Sequence, residues 1–228
     1  HQTLDNQLKN ETPNDFDARF IRRTRASTEP VLSERDDKVY RRIGEQFYPM
    51  SEVVKSRLDL QSVIKLVAVG VAQISAVTPS DASHVLGKSN AWDKEAAIKA
   101  IDLFARRRNG SGELLAGSTA QMAERIVCQL TDQTSSSILE MAFSEEKVDF
   151  GDKPDVLAKH PLTQFGLAGY SDLIKVNVGI SKKIIGLGAS APTYYPAVGA
   201  ELNCEVVLPE YAGVANAIGA VVGKIVMR

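Results

Sequence analysis

The stretch from Lys182 to Lys224, KKIIGLGASAPTYYPAVGAELNCEVVLPEYAGVANAIGAVVGK, constrains the fold more than any other part of the chain. Lys183-Ile184-Ile185 leads into Gly186-Leu187-Gly188-Ala189-Ser190. A short apolar run stopped by two glycines is how a buried strand ends where backbone must approach something closely. Ser190 suits the cap of a following helix and Pro192 its first turn, and Tyr195, Val198, Gly199 and Leu202 recur at helical spacing on one face. Glu205 to Leu208 reads as a second short strand, broken by Pro209. Val214, Ala217, Ile218, Val221, Val222 and Ile225 then define a closing helix, rich enough in Ala and Gly to pack tightly on a sheet or another helix. The order strand, glycine turn, helix, strand, helix places the chain in the α/β class.

A second ordered element lies about a hundred residues upstream, Thr78-Pro79-Ser80-Asp81-Ala82-Ser83-His84-Val85-Leu86-Gly87. Threonine, proline in the first turn and an acid three residues on approximate a capping box, which accounts for Thr78, Pro79 and part of Asp81. Asp81 and His84, three apart, share a helix face and are candidate catalytic residues, an acid and a base lining a pocket. As metal ligands they make only two, and His1 and His160 are not spaced to complete a set, so no metal site is expected.

These two elements resemble the hydantoinase A and oxoprolinase family of the actin, hexokinase and Hsp70 superfamily of ATPases. IIGLGASA followed by VVLPEYAGVANAIGAVVG is similar to the family's adenosine-binding end, and TPSDASHVLG to its TxxDAxxVLG element. The resemblance covers residues from about 34 to the end. It implies an actin-like lobe in which the glycine turn lies under a nucleoside and the last helix packs at a hinge. Gly186, Gly188 and Ala189 would admit a ring or ribose against the backbone, and Ser190 and the helix N-terminus would meet an anion. Without a ligand, the two glycines serve only a tight strand-to-helix turn. Asn216 and Glu210 flank the closing helix, as polar pocket residues or as a cap and surface positions.

The family's Asp-x-Gly-Gly-Thr phosphate loops have no counterpart here, since the chain opens on the glycine-free HQTLDNQLKNETPND. The resemblance therefore implies the C-terminal fragment of a longer protein, or one member of a split pair, inactive by itself. The parent activity would be ATP-dependent hydrolysis of a cyclic amide such as hydantoin or 5-oxoproline. ATP and magnesium are its expected cofactors, each needing the missing loops. The partners would be a small cyclic amide and the remainder of the enzyme or a partner subunit.

Composition narrows the alternatives. With 44% hydrophobic and 24% charged residues among 228, the chain can bury a core. A formal net charge of −1 provides no general basic field for nucleic acid or anionic membrane. No apolar run approaches the roughly 20 residues that span a bilayer, and the polar N-terminus has no signal core, so a cytoplasmic protein is expected. Cys128 and Cys204, isolated from each other, read as reduced and buried thiols.

Along the chain, residues 1–33 read as a polar arm or connector, with Arg19, Arg22, Arg23 and Arg25 as a solvated or acid-facing cluster. Residues 34–90 form a small helical module with helices at Glu34–Gln46, Ser51–Ser56 and Leu60–Gly70, the last burying Leu60, Val63, Ile64, Val67 and Ala68. Three helices and a strand also resemble a winged helix-turn-helix. The third helix, however, offers only Gln61, Ser62 and Lys65 outward, too little charge for a recognition helix. Residues 91–228 read as a helical and α/β lobe, which the family resemblance implies to be nucleotide-binding. In it come a helix from Trp92 to Phe104, a long one from Glu113 to Glu145 interrupted near Thr134–Ser137, a short one from Asp155 to His160, and a strand at Ile174–Val178. Three functions stay open beside the hydrolase: an ATPase activator or carboxylase subunit of the same superfamily, a winged-helix DNA-binding regulator, and a structural interaction domain.

Overall fold

The computed structural model describes residues 1–24 and 31–223. Arg25 of the basic cluster and Ile225 of the closing helix lie outside the described residues. The elements in chain order are α1 (Gln2–Leu8), β1 (Phe20–Arg23), α2 (Glu34–Arg42), β2 (Tyr48–Pro49), α3 (Met50–Val53), α4 (Arg57–Ala68), β3 (Ala72–Ser75), α5 (Pro79–Val85) and α6 (Lys94–Ala105). They continue with α7 (Thr119–Glu145), α8 (Pro154–Lys159), α9 (Pro161–Leu167), β4 (Ile184–Ile185), α10 (Ala191–Glu201), β5 (Val206–Val207) and α11 (Ala215–Val222). Among the described residues the architecture is a helix-rich mixture of α and β with two small sheets.

The chain divides into two compact units, His1–Ile126 and Val127–Arg228. The boundary falls inside α7, where the sequence reading places divisions at 33/34 and 90/91. Residues 1–24 also differ from the expected arm. α1 is a helix with Leu4 buried, and β1 is the middle strand of an antiparallel sheet in the order β2-β1-β3. Phe20 sits opposite both Pro49 and Ser75.

Local signals fix the helices around that sheet. The Ser33 hydroxyl accepts the Asp36 N–H at the start of α2, and the Ser56 hydroxyl accepts the Asp59 N–H at the start of α4. α4 closes through Gly70, whose φ of +79° lets Val71 N–H reach back to the Leu66 carbonyl at 3.0 Å and turns the chain straight into β3. Ile21, Val39, Ile43, Val53, Val63 and Leu66 are buried together between the sheet and these helices. The buried face of α4 is therefore Ser62, Val63 and Leu66. Ile64, Val67 and Ala68, expected inside, are exposed, because the apolar stripe of this helix is wider than the surface it packs on.

In the second unit, Leu139, Ala158, Val198 and Leu202 form a core flanked by Leu167 and Ile184. β4 and β5 pair in parallel, with Ile184 opposite Val206, and α10 crosses between them. The strand-turn-helix-strand order expected from the sequence is present. Two other expectations are not. α7 begins at Thr119 and runs helical through the Thr134–Ser137 stretch. The hydroxyls of Thr131, Thr134 and Ser137 donate to the carbonyls four residues earlier and so stay within the helix. Residues 174–178 alternate in polarity but form no strand. They are held by single bonds, Val176 N–H to Tyr170 O and Val178 N–H to Gly166 O, beside α9.

Candidate functional site

The glycine turn leads from β4 into α10, and three backbone bonds hold β4 and the turn to the segment from Glu205 to Ala212. Ile184 N–H donates to Glu205 O at 2.9 Å, Gly186 N–H to Val207 O at 3.0 Å, and Gly188 N–H to Ala212 O at 2.7 Å. The last of these ties the turn to the 3₁₀ turn at Ala212–Val214 that precedes α11. The two glycines have different physical reasons. Gly186 is buried, and a Cβ there would press to 2.7 Å on the Leu208 Cδ2 and 3.4 Å on the Ala191 Cβ. Its smallness serves the packing of strand on helix and leaves no space for a ligand. Gly188 adopts a φ of +106° with no atom within 4 Å of where a Cβ would stand. It combines a left-handed backbone with open space, as a close approach to a ring requires.

Ala189 and Ser190 beside it are exposed, but Ser190 makes no side-chain cap. The expectation that the α10 N-terminus meets an anion is not supported by its donors. Ala191 N–H is taken by Gly188 O and Thr193 N–H by Ser190 O, and Pro192 has none. What remains is a small-residue surface with one free-standing hydroxyl. Asn216 is exposed in the first turn of α11, and Glu210 is exposed just before the 3₁₀ turn. No residue of α11 is buried, and Val221 is 85% exposed.

Asp81 and His84 are placed together on α5 but not engaged with each other. One Asp81 carboxylate oxygen accepts the Thr78 N–H at 2.7 Å and the Thr78 hydroxyl at 2.6 Å, completing the capping box. His84, 2% exposed, accepts the Trp92 N–H on Nε2 at 2.8 Å, so Nδ1 carries the proton and donates to Ser80 O at 2.6 Å. Both ring nitrogens are occupied and no lone pair is free for proton transfer. Arrangement as an acid and base pair, expected from spacing alone, is therefore replaced by a polar joint between α5 and the approach to α6.

The basic residues of β1 are likewise structural in part. Arg22 donates from Nε and Nη2 to the Gln73 side-chain oxygen of the neighbouring strand and lies 4.7 Å over the Phe47 ring. Arg23 donates to the carbonyls of Tyr40 and Arg41 at the end of α2, where a cation complements the helix dipole. On α4, Leu58 and Ile64 are exposed beside Lys65, an apolar face unlike one that reads duplex DNA. The free thiols also differ from expectation: Cys128 is exposed and Cys204 half-buried, and burial raises the Cys204 pKa.

Among the described residues no group of three or more His, Cys, Asp or Glu could hold a metal ion, and no helix is long and apolar enough to cross a membrane. No family model, curated protein or solved structure matches the chain.

Proposed function

We propose that this chain contributes the nucleoside-binding part of an ATP-dependent hydrolase of cyclic amides, of the hydantoinase A and oxoprolinase kind within the actin-like ATPases. The observation that carries the reading is Gly188: a left-handed glycine with open space above it, between a parallel strand and a helix, tied by its N–H to the segment that opens α11. The backbone of Gly188 and the side of Ala189 form the floor for a base or ribose, and the Ser190 hydroxyl lies within the same exposed turn. Gly186 holds that floor through its N–H bond to the Val207 carbonyl at 3.0 Å.

In this reading the amide oxygen would take the γ-phosphoryl group of ATP, releasing ADP; water would add to the activated carbon, the ring C–N bond would break with its nitrogen leaving protonated, and a second water would hydrolyse the resulting acyl phosphate to carboxylate and phosphate. The described residues bring no ligand set for magnesium, and the α10 N-terminus brings no free N–H for phosphate. Both tasks belong to the remainder of the enzyme or a partner subunit, and a cytoplasmic location goes with the same reading. The exposed apolar α11 suits a chain that works against such a partner.

Calorimetric titration with ATP and magnesium tests the nucleoside site. Substitution at Gly188 would strain a positive φ, so the informative variant is Ala189→Trp, which fills the same space from an exposed position. Saturable binding by the wild type that weakens at least about tenfold in the variant, with the circular dichroism spectrum unchanged, is the expected result. No binding at millimolar nucleotide, or equal affinity in both proteins, rejects the site.

A further inference from the structure

In the first unit a cleft of about 430 Å³ opens between the Ala18–Arg19 segment, α4, β3 and the end of α6. Its walls are apolar: Leu60 and Ile64 from α4, Ile74 from β3, Val77, and Phe104 from α6. Ile64 is 58% exposed there, although it is the kind of side chain a folded protein covers. Arg19 and Arg107 also line the cleft.

These two guanidinium groups are poorly compensated. Arg19 makes no ion pair among the described residues. Arg107 donates from Nη2 to the Asp17 carbonyl at 2.5 Å and lies 4.8 Å over the Phe104 ring, while its Nε is buried with no partner. Burial, and then the like charge of Arg19, disfavour the charged form of Arg107 against the weaker opposing pull of Asp15 and Asp17. Asp17 is itself engaged, its carboxylate accepting the Asn14 N–H at 2.8 Å. Two neighbouring cations in the lining of an apolar cleft call for an anionic group joined to an apolar body.

We propose that this cleft binds a small organic carboxylate, its charged group between Arg19 and Arg107 and its hydrocarbon along Leu60, Ile64 and Ile74. A phosphate or a nucleic acid backbone fits worse, because it brings no apolar surface to cover these walls. The site lies in the first unit and does not depend on the nucleoside reading.

The test uses the full chain with octanoate, hexanoate and octanol as probes, followed by calorimetry or amide chemical shifts. Octanoate is expected to bind at one saturable site. Each methylene added between hexanoate and octanoate should tighten binding about fourfold. Octanol, of the same length without the charge, should bind at least tenfold more weakly than octanoate. Arg19→Gln should weaken octanoate about tenfold, and Ile64→Glu, an exposed position that places a like charge on the wall, should abolish binding with the fold intact. Equal affinity for octanoate and octanol, failure to saturate, or unchanged binding in both variants overturns the proposal.

Discussion

The imidazole of His84 accepts the backbone N–H of Trp92 at 2.8 Å, eight residues along the chain, and so closes the loop between α5 and α6. Trp92 itself is largely exposed, so the loop is held by its amide and not by its indole. Removing the buried ring leaves the part-buried Trp92 N–H without its acceptor and opens a cavity under α5. His84→Ala should lower unfolding stability by about 2–4 kcal/mol in urea titrations. A loss below about 0.5 kcal/mol would show that the joint is not structural.

The packing glycines of the second unit separate cleanly by what a methyl would meet. A Cβ on Gly199 would collide with a Val206 methyl and stand 3.1 Å from the Cys204 carbonyl oxygen, both fixed by β5 and the turn before it. At Gly186 the closest atom is the tip of the flexible, partly exposed Leu208. Gly199→Ala should therefore cost about 1–3 kcal/mol despite alanine's better helix propensity, whereas Gly186→Ala should stay within about 1 kcal/mol. Adding Val206→Ala to Gly199→Ala should recover part of the loss. Thermal or urea unfolding of the three variants decides it.

Acid should loosen the first unit. Hydrogen bonds from Ser62 and Ser33, then the charges of Lys65 and Arg35, hold the Asp36 carboxyl below the usual carboxylate range. Asp59 is held low mainly by hydrogen bonding from Arg42, whose Nη1 and Nη2 reach its two oxygens at 3.1 and 3.3 Å, and by the Lys55 N–H. Both folded pKa values lie below their unfolded values. The stability they contribute is thus present above the ordinary carboxylate pKa of about 4 and is lost as pH falls through the depressed values. The urea midpoint should fall between pH 5 and 3 in the wild type. The fall should be smaller in the Asp36→Asn/Asp59→Asn double variant, which has already lost these contributions at neutral pH.

Local chemistry was readable where it is local. The capping box at Thr78, the helix stop at Gly70 and the strand-turn-helix order around Gly186–Ser190 all rest on neighbours within a few residues. β1 was not readable, because only Ile21 of its four residues is fully buried and two of the others are arginines that extend sideways onto Gln73 and the end of α2. Its identity as a strand depends on β2 and β3, whose residues come 25 or more positions later. The converse holds at residues 174–178, where alternation suggests a strand but, among the described residues, the pairing is confined to an isolated bridge between Lys175 and Ser171. In the candidate site, Gly186 and Gly188 look equivalent in sequence. Leu208 and the backbone angle at Gly188 are what separate a packing glycine from an open one. His84 stands as a candidate base in the sequence because Trp92 gives no sign there that its amide needs an acceptor.

The proposed nucleoside site lies over Gly188. The most direct measurement is an amide chemical-shift titration of the full chain with ADP and magnesium, assigned across residues 184–218. The account predicts saturable shifts concentrated at Gly188, Ala189 and Ser190, with smaller ones at Ala212 through the 2.7 Å bond from Gly188. Absence of shifts at millimolar ADP, or shifts confined to the surroundings of Arg19 and Arg107, would contradict it.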